Sequence, residues 1–323
     1  MHNPHSVNQV GTLKYFREKY NRHNATPKKV LDSYEGSEEL FLSMGRAYIV
    51  EAALKYFGMK QLTDKPTVHA FPKNIVHESV VKKQQYLDEA IRGFIDTFVI
   101  QKKSGSAFDS EDHVNNYGLC CIFLTVILLH LKDTAAEADE DINLINQKLL
   151  LSIFKSLGTY SKYAIEMFVS IARMECLLTP RLSAEFKCFF FTNWRGGPGR
   201  NIEDDLGQEI SNKISKSIVQ RMGPNKTISS ISKMSKAVSG MKEILESYDQ
   251  NLDIHKVSVN HTTSDHLKEE REMISNLIKL DPFTHMDGRS HISFPDIKRS
   301  PLLNLNILNF HKWLDQHKRE LAS

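Results

Sequence analysis

The spacing of the apolar residues constrains the fold more than any other feature, because they recur every three to four positions over most of the chain. A first such stretch begins at Ser37 and ends at Phe57, where Gly58 is suited to a left-handed helix cap. A second stretch runs from about Glu78 to Ile100. Spacing of this kind puts the apolar side chains on one face of an α-helix. We therefore expect helices that pack through their apolar faces.

The same spacing predicts further helices along the rest of the chain. They are expected at about 115–131, 142–157, 160–178, 206–222, 228–245, 266–280 and 302–320. Strands that alternate with helices are not indicated, and no motif repeats at the period of a solenoid. The predicted fold is all-α: an irregular multi-helix domain with a flexible linker and a C-terminal helical extension.

Composition shifts divide the chain into four predicted segments. Residues 1–30 are polar and are expected to form an N-terminal arm with few contacts, whereas 31–249 form the helical domain. Residues 250–265 lose the apolar period and are predicted to be a linker. Residues 266–323 form the helical extension. Its amphipathic stretch 302–320 is expected to dock on its own domain or to bind a partner protein.

Composition and cysteine usage indicate a globular protein inside the cell. Hydrophobic residues make up 41% of the chain and charged residues 25%, which is within the globular range. No apolar run followed by a small-residue cleavage site begins the sequence, and the run 119–129 is shorter than the roughly 20 residues that span a bilayer. We expect no membrane partner. Four cysteines lie in apolar stretches and are predicted to be reduced core residues: Cys120, Cys121, Cys176 and Cys188.

Residues 211–242, here called the basic segment, carry the strongest electrostatic signal. They contain seven cations, eight serines and no acid, so their formal charge is +7. The cations are Lys213, Lys216, Arg221, Lys226, Lys233, Lys236 and Lys242. Lysine and hydroxyl groups bind phosphate oxygens without reading sequence, so the segment predicts a nucleic-acid partner, with Arg195 and Arg200 extending the surface. The alternative is a solvated helix face.

Two carboxylates just before the basic segment are the candidate catalytic residues. Asp205 and Glu209 are four positions apart, so on a helix they point the same way, as ligands of Mg²⁺ must. A pair of this kind is half of a site. The alternative is that acids in a first helical turn complement the helix dipole.

Two other patterns are predicted to be structural. Gly196–Gly199 is expected to form a tight turn, because no Gly-Lys-Ser/Thr sequence follows and acids occupy the place of a phosphate. Four histidines have no cysteine near them, so they are predicted to be scattered surface residues and not ligands of a metal site. They are His261, His266, His285 and His291.

Five ordered motifs carry a family resemblance. They are Asp112-His-Val-Asn-Asn-Tyr-Gly118, Glu137-Ala-Asp-Glu140, Lys162-Tyr-Ala-Ile-Glu166, Asn193-Trp-Arg-Gly-Gly-Pro-Gly-Arg-Asn-Ile202 and Asp205-Leu-Gly-Gln-Glu209. Over about residues 30–250 the chain resembles a eukaryotic family known as domain of unknown function 6589. The resemblance implies a transposon-derived protein, with this chain corresponding to the helical C-terminal half.

The resemblance also bears on catalysis. Longer members of that family carry, upstream of this region, aspartates that look like strand-borne carboxylates of a ribonuclease-H-like nuclease, and neither such segment occurs in this sequence. The chain also has Ile210 where the family usually has histidine. Both departures argue against a retained catalytic centre.

Three functions follow as hypotheses. The leading one is a catalytically incomplete, transposon-derived helical domain that binds nucleic acid or protein, is no enzyme and needs no cofactor. The first alternative is a fragment of a metal-dependent nuclease or transposase, in which Asp205 or Glu209 supplies one carboxylate to Mg²⁺. The second is a domesticated protein-interaction scaffold. In each case we expect an intracellular protein. A transposon ancestry points to the nucleus, no compact basic import signal is present, and the cytoplasm is the alternative.

Overall fold

The computed structural model describes most of the chain, and its described part is all-α apart from one two-stranded sheet, which confirms the predicted fold class. The described residues are 9–23, 25, 34–72, 74–100, 112–158, 161–193, 196–222, 226–233 and 266–322. The predicted linker 250–265 lies outside them, as do Arg195, Lys236 and Lys242.

The helices follow the apolar periods closely. They are α1 Leu13–Lys19, α2 Tyr34–Tyr56, α3 Val80–Phe98, α4 His113–Glu137, α5 Glu140–Ser156, α6 Ser161–Ala172, α7 Pro180–Cys188, α8 Asp204–Arg221, α9 His266–Leu280 and α10 Ile307–Ala322. A π-helical turn, Arg173–Leu177, follows α6, and residues 228–233 are also helical. The strands are β1 Phe191–Thr192 and β2 Ile202–Glu203.

The chain contacts define two compact units. The first unit contains Met1–Leu129, Ser152–Ser161 and Asp265–Ser323, and the second contains His130–Leu151 and Lys162–Ser264. Residues 266–323 therefore belong to the first unit, whereas their sequence predicts a separate extension. The physical reason is that α9 has a strongly amphipathic pattern whose apolar face is buried in the core of the first unit.

In the first unit, α2 packs against α9 and α1. Met273 and Leu277 of α9 are fully buried in the same cluster as Met44 of α2. From α1, Leu13 and Phe16 are also buried there. The expected N-terminal arm with few contacts is therefore corrected for its described residues. Helix α1 has seven residues and two buried apolar side chains, which are too few for an apolar period to be recognised in a polar segment.

Gly45 lets α2 approach α4 closely. A Cβ atom at this position would lie 2.0 Å from Oγ1 of Thr125 on α4. We expect Gly45→Ala to lower the free energy of unfolding by about 1–3 kcal/mol, because overpacking outweighs the better helix propensity of alanine. Urea denaturation measures the change. Adding Thr125→Ala is expected to restore part of the loss, and a single variant as stable as the wild type would contradict the close approach.

Helix α4 is long and apolar enough, by length and composition, to cross a membrane. It has 25 residues, and its most apolar 18-residue window has a mean hydropathy of 1.8. Half of that window is buried inside the protein, and Cys121 and Ile122 have no exposed surface. Buried core helices of soluble proteins share these properties. The expectation of no membrane partner stays a prediction.

In the second unit, hydrogen bonds of the buried Thr134 and Asn146 join the end of α4 to α5. The Nδ2 atom of Asn146 donates a hydrogen bond to Oγ1 of Thr134 at 3.0 Å, and Oδ1 of Asn146 lies 2.8 Å from Nδ1 of His130. The hydroxyl of Thr134 donates in turn to the carbonyl of His130. These hydrogen bonds offset the free-energy cost of removing the polar groups from water. They hold the corner to which the next hairpin is attached.

Candidate nucleic-acid interface

A short hairpin positions the start of α8. Strands β1 and β2 are antiparallel, with Phe191 opposite Glu203 and Thr192 opposite Ile202. In the loop between them, Nδ2 of Asn193 donates to the carbonyl of Gly197 at 2.9 Å. Three loop glycines have positive φ angles, which glycine adopts without strain. They are Gly196 at 67°, Gly197 at 86° and Gly199 at 68°.

The hairpin is anchored to the end of α4. Nδ2 of Asn201 donates to the carbonyl of Ala136 at 2.7 Å, and the Asp204 backbone N–H donates to the carbonyl of Phe190 at 2.9 Å. The glycine motif therefore builds a turn that leads straight from β2 into α8. The predicted tight turn is what the described part of this loop forms.

The two candidate carboxylates lie on the first turns of α8. Asp205 and Glu209 are both exposed, and the neighbouring Asp204 accepts a hydrogen bond from Nε2 of Gln208 at 2.7 Å. Across the described ranges, no three His, Cys, Asp or Glu side chains form a group able to hold a metal ion. The structure thus places both residues on one helix face without a third carboxylate from the described residues.

The cations of the basic segment come next along the chain. Lys216, Lys226 and Lys233 are exposed, and so is Arg200 in the hairpin loop. Lys213 and Arg221 lie on α8, but their side chains are not among those described. The structure thus brings acids and cations onto one helix and exposes each predicted cation whose side chain it describes.

Charge is distributed unevenly along α8. Asp205, Glu209 and Lys216 are separated by four and seven residues, so they share a helix face that changes from acidic to basic. This order also complements the helix dipole, which is negative at the C-terminal end. The second unit as a whole has 16 basic and 16 acidic side chains, so its formal charge is zero. The +7 of the basic segment is therefore a strong local asymmetry.

Helix α10 was the candidate surface for a partner protein. Its Trp313 ring stacks with Phe310 and lies 4.6 Å from Nζ of Lys155, both within the first unit. Ile307 and Leu308, at the start of the helix, are 63% and 74% exposed. One part of α10 is thus docked on its own unit and another is exposed. Binding of a partner through 302–320 stays a prediction.

A buried ion pair in the first unit is a feature that the sequence analysis missed. The side chain of Asp112 has no exposed surface, and its two oxygens accept hydrogen bonds from Arg289 at 2.8 and 2.6 Å. Asp112 also accepts from the backbone N–H groups of Val114 and Asn115, so it caps α4. Burial alone would raise the pKa of Asp112, but the hydrogen bonds from Arg289 and the backbone lower it.

The rest of this motif also binds the chain after α9. Nδ2 of Asn115 donates to the carbonyl of Pro282, and Nδ2 of Asn116 donates to the carbonyl of Ile297. A Cβ atom at Gly118 would lie 3.0 Å from the ring of Phe283. The motif Asp112–Gly118 is therefore a structural anchor. No signal in one sequence points to partners about 170 positions away.

Two buried titratable groups lie in the same unit. Glu51 is 1% exposed, and burial raises its pKa to about 7, although Lys55 opposes the shift. The predicted surface position of His291 is wrong: the residue is 2% exposed, because its ring stacks on Tyr117 at 4.7 Å. Burial lowers its pKa to about 4. Both side chains are buried in the first unit, so we assign them to stability and not to a site.

These elements define a helical protein with an exposed, locally basic helix. The chain belongs to the Family of unknown function (DUF6589), whose model matches residues 1–261. The family resemblance is therefore confirmed. Neither a curated protein nor a solved structure matches the chain.

Proposed function

We propose that this chain binds the phosphate backbone of nucleic acid through the basic segment. The observation that carries the proposal is the exposure of Lys216, Lys226 and Lys233 within a stretch that contains no acid. Each lysine that neutralises a phosphate releases condensed counterions, which drives binding without sequence specificity. Arg200 adds an exposed cation in the hairpin loop before α8.

Hydroxyl groups favour the same partner. Thr227 and Ser229 are exposed between Lys226 and Lys233, and hydroxyls donate hydrogen bonds to phosphate oxygens. Descent from a transposon and a nuclear compartment are part of the proposal and agree with a nucleic-acid partner.

A salt titration tests the proposal. The affinity of the full chain for a mixed-sequence DNA duplex is measured by fluorescence anisotropy at increasing salt concentration. The affinity is expected to fall steeply, and the triple variant Lys216→Gln, Lys226→Gln, Lys233→Gln should reduce the slope of log K against log [salt] by about 3. Binding of RNA is expected to show the same dependence, because the contacts are to phosphate.

A charge-matched variant provides the control. Lys60, Lys65 and Lys312 are exposed in the first unit, and replacing all three by glutamine removes the same charge. This variant is expected to keep the wild-type slope. Absence of binding at low salt, binding that is indifferent to salt, or an equal effect of both triple variants would overturn the proposal.

A further inference from the structure

Ser229 differs from the other described serines of the basic segment. It is exposed, and Lys226 stands three residues before it. The hydroxyl of Ser230 lies 2.8 Å from that of Thr227, which caps the helical turn. Other described serines lack this combination: Ser211, Ser215 and Ser230 are partly buried, and Ser232 has no cation three residues before it.

The turn around Ser229 can open at low cost. Ile228, directly before it, is 89% exposed, so this turn buries little apolar surface. Segments with few buried contacts open locally with small free energies. A protein kinase needs such opening, because its cleft binds substrates as extended chain. Kinases with acidic clefts select substrates by charge, and a lysine three residues before the serine satisfies that selection.

We propose that Ser229 is a phosphorylation site for a protein kinase that prefers basic substrates, and that its phosphate weakens nucleic-acid binding. The second half of this inference rests on the function proposed above. Oγ of Ser229 attacks the γ-phosphorus of ATP; the bond from that phosphorus to the bridging oxygen breaks, and ADP leaves. The hydroxyl proton passes to the base of the kinase.

The phosphate acts by charge. It adds about −1.5 to −2 charges at neutral pH. Ser229 and Lys233 are four residues apart on the helix 228–233, and Lys226 is three residues before Ser229. The phosphate on Ser229 therefore competes with the nucleic-acid backbone for Lys226 and Lys233. Its negative charge also repels that backbone. We expect the salt slope to fall by about 2.

Two measurements test the site and its effect separately. The full chain is incubated with ATP, Mg²⁺ and a purified kinase of this preference, and mass spectrometry locates the phosphate. Incorporation at Ser229 is expected in the wild type and in Ser232→Ala, and is expected to be lost in Ser229→Ala. The phosphorylated and unmodified proteins are then compared in the anisotropy titration, where phosphorylation should weaken binding at low salt about ten-fold or more.

Each outcome decides one point. The modification site would be overturned if the phosphate were found elsewhere on the chain, or if Ser229→Ala did not reduce phosphate incorporation. A phosphorylated protein that binds as tightly and with the same salt slope as the unmodified one would overturn the effect. Failure of the unmodified protein to bind nucleic acid would overturn the proposed function and, with it, the regulatory effect. The mass spectrum would still decide the site.

Discussion

Arg289→Met is expected to lower the free energy of unfolding of the first unit by about 3–5 kcal/mol, because it removes the charged partner of a buried carboxylate. Asp112 has no exposed side-chain surface, and Arg289 is its charged partner at 2.6 Å. Arg289 also donates to the carbonyls of Asp281 and Thr284, so its loss frees several acceptors in the loop after α9. The free energy is measured by urea denaturation.

Fluorescence isolates the unit concerned. The chain has two tryptophans, and Trp313 belongs to the first unit. In a Trp194→Phe background, Trp313 is therefore the reporter of that unit.

Two variants make this prediction specific. Arg46→Met removes an arginine that pairs with Glu270 but is 46% exposed, so we expect a loss below about 1 kcal/mol. Asp112→Asn combined with Arg289→Met removes the stranded charge, and this double variant should be more stable than Arg289→Met alone. Equal losses from Arg289→Met and Arg46→Met would show that the buried pair contributes no more than a surface pair.

The sequence predicted the helices well but could not predict this pairing. Apolar periodicity is local, so it located α2, α3 and α9 to within a few residues. The contact between Asp112 and Arg289 joins positions 177 apart, and its only sequence trace is a polar motif without a stated partner. The same limit applies to 266–323. The polar stretch before these residues predicts a linker and a separate extension, whereas the packing of α9 against α2 is visible only in three dimensions.

That packing also bears on the extent of the family's domain. The family model matches residues 1–261, yet the side chains of Asp112, Asn115 and Asn116 bind residues between 282 and 297. α9, which buries Met273 and Leu277 in the same core, lies beyond residue 261 as well. In this chain, the fold of the matched region thus depends on residues that follow it.

The candidate site shows a similar division between local and distant signals. Charge along the chain predicted an exposed basic segment, and Lys216, Lys226 and Lys233 are indeed exposed. The hydrogen bond from Asn201 to Ala136, which sets the direction of α8, is between residues 65 positions apart and had no local signal. Nucleic-acid binding through these lysines stays a prediction.

The second large expected effect is a pH dependence of the free energy of unfolding that comes from Glu51 and His291. Their contributions have opposite signs and largely cancel in the wild type. The pKa of Glu51 is raised from 4.5 to about 7 by burial, with Lys55 lowering it and Asp281 raising it. Protonated Glu51 favours the folded state. This contribution to the free energy of unfolding is fully present below pH 4.5 and is lost as the pH rises through about 7. Glu51→Gln cannot ionise, so relative to the wild type it should gain about 3 kcal/mol of stability across that window.

His291 has the opposite sign. Burial, opposed by a backbone hydrogen bond and assisted by the charge of His113, lowers its pKa from 6.5 to about 4. Its stabilisation is fully present above pH 6.5 and is lost as the pH falls towards 4. His291→Phe keeps an aromatic ring against Tyr117 and Phe294 but cannot bind a proton. Relative to the wild type, this variant should therefore gain about 3 kcal/mol as the pH falls through the same window.

Between pH 4.5 and 6.5 the two effects oppose each other, so the wild type should show little net slope from this pair. In each single variant, the free energy of unfolding should show the pH dependence of the group that remains. The two slopes should have opposite signs and be about 1.4 kcal/mol per pH unit. Urea denaturation followed by Trp313 fluorescence at several pH values gives the difference between each variant and the wild type, which cancels all groups common to both. A difference that is constant with pH for Glu51→Gln would show that Glu51 keeps an ordinary pKa. For His291→Phe, a difference that grows as the pH rises would show that the assigned sign is wrong.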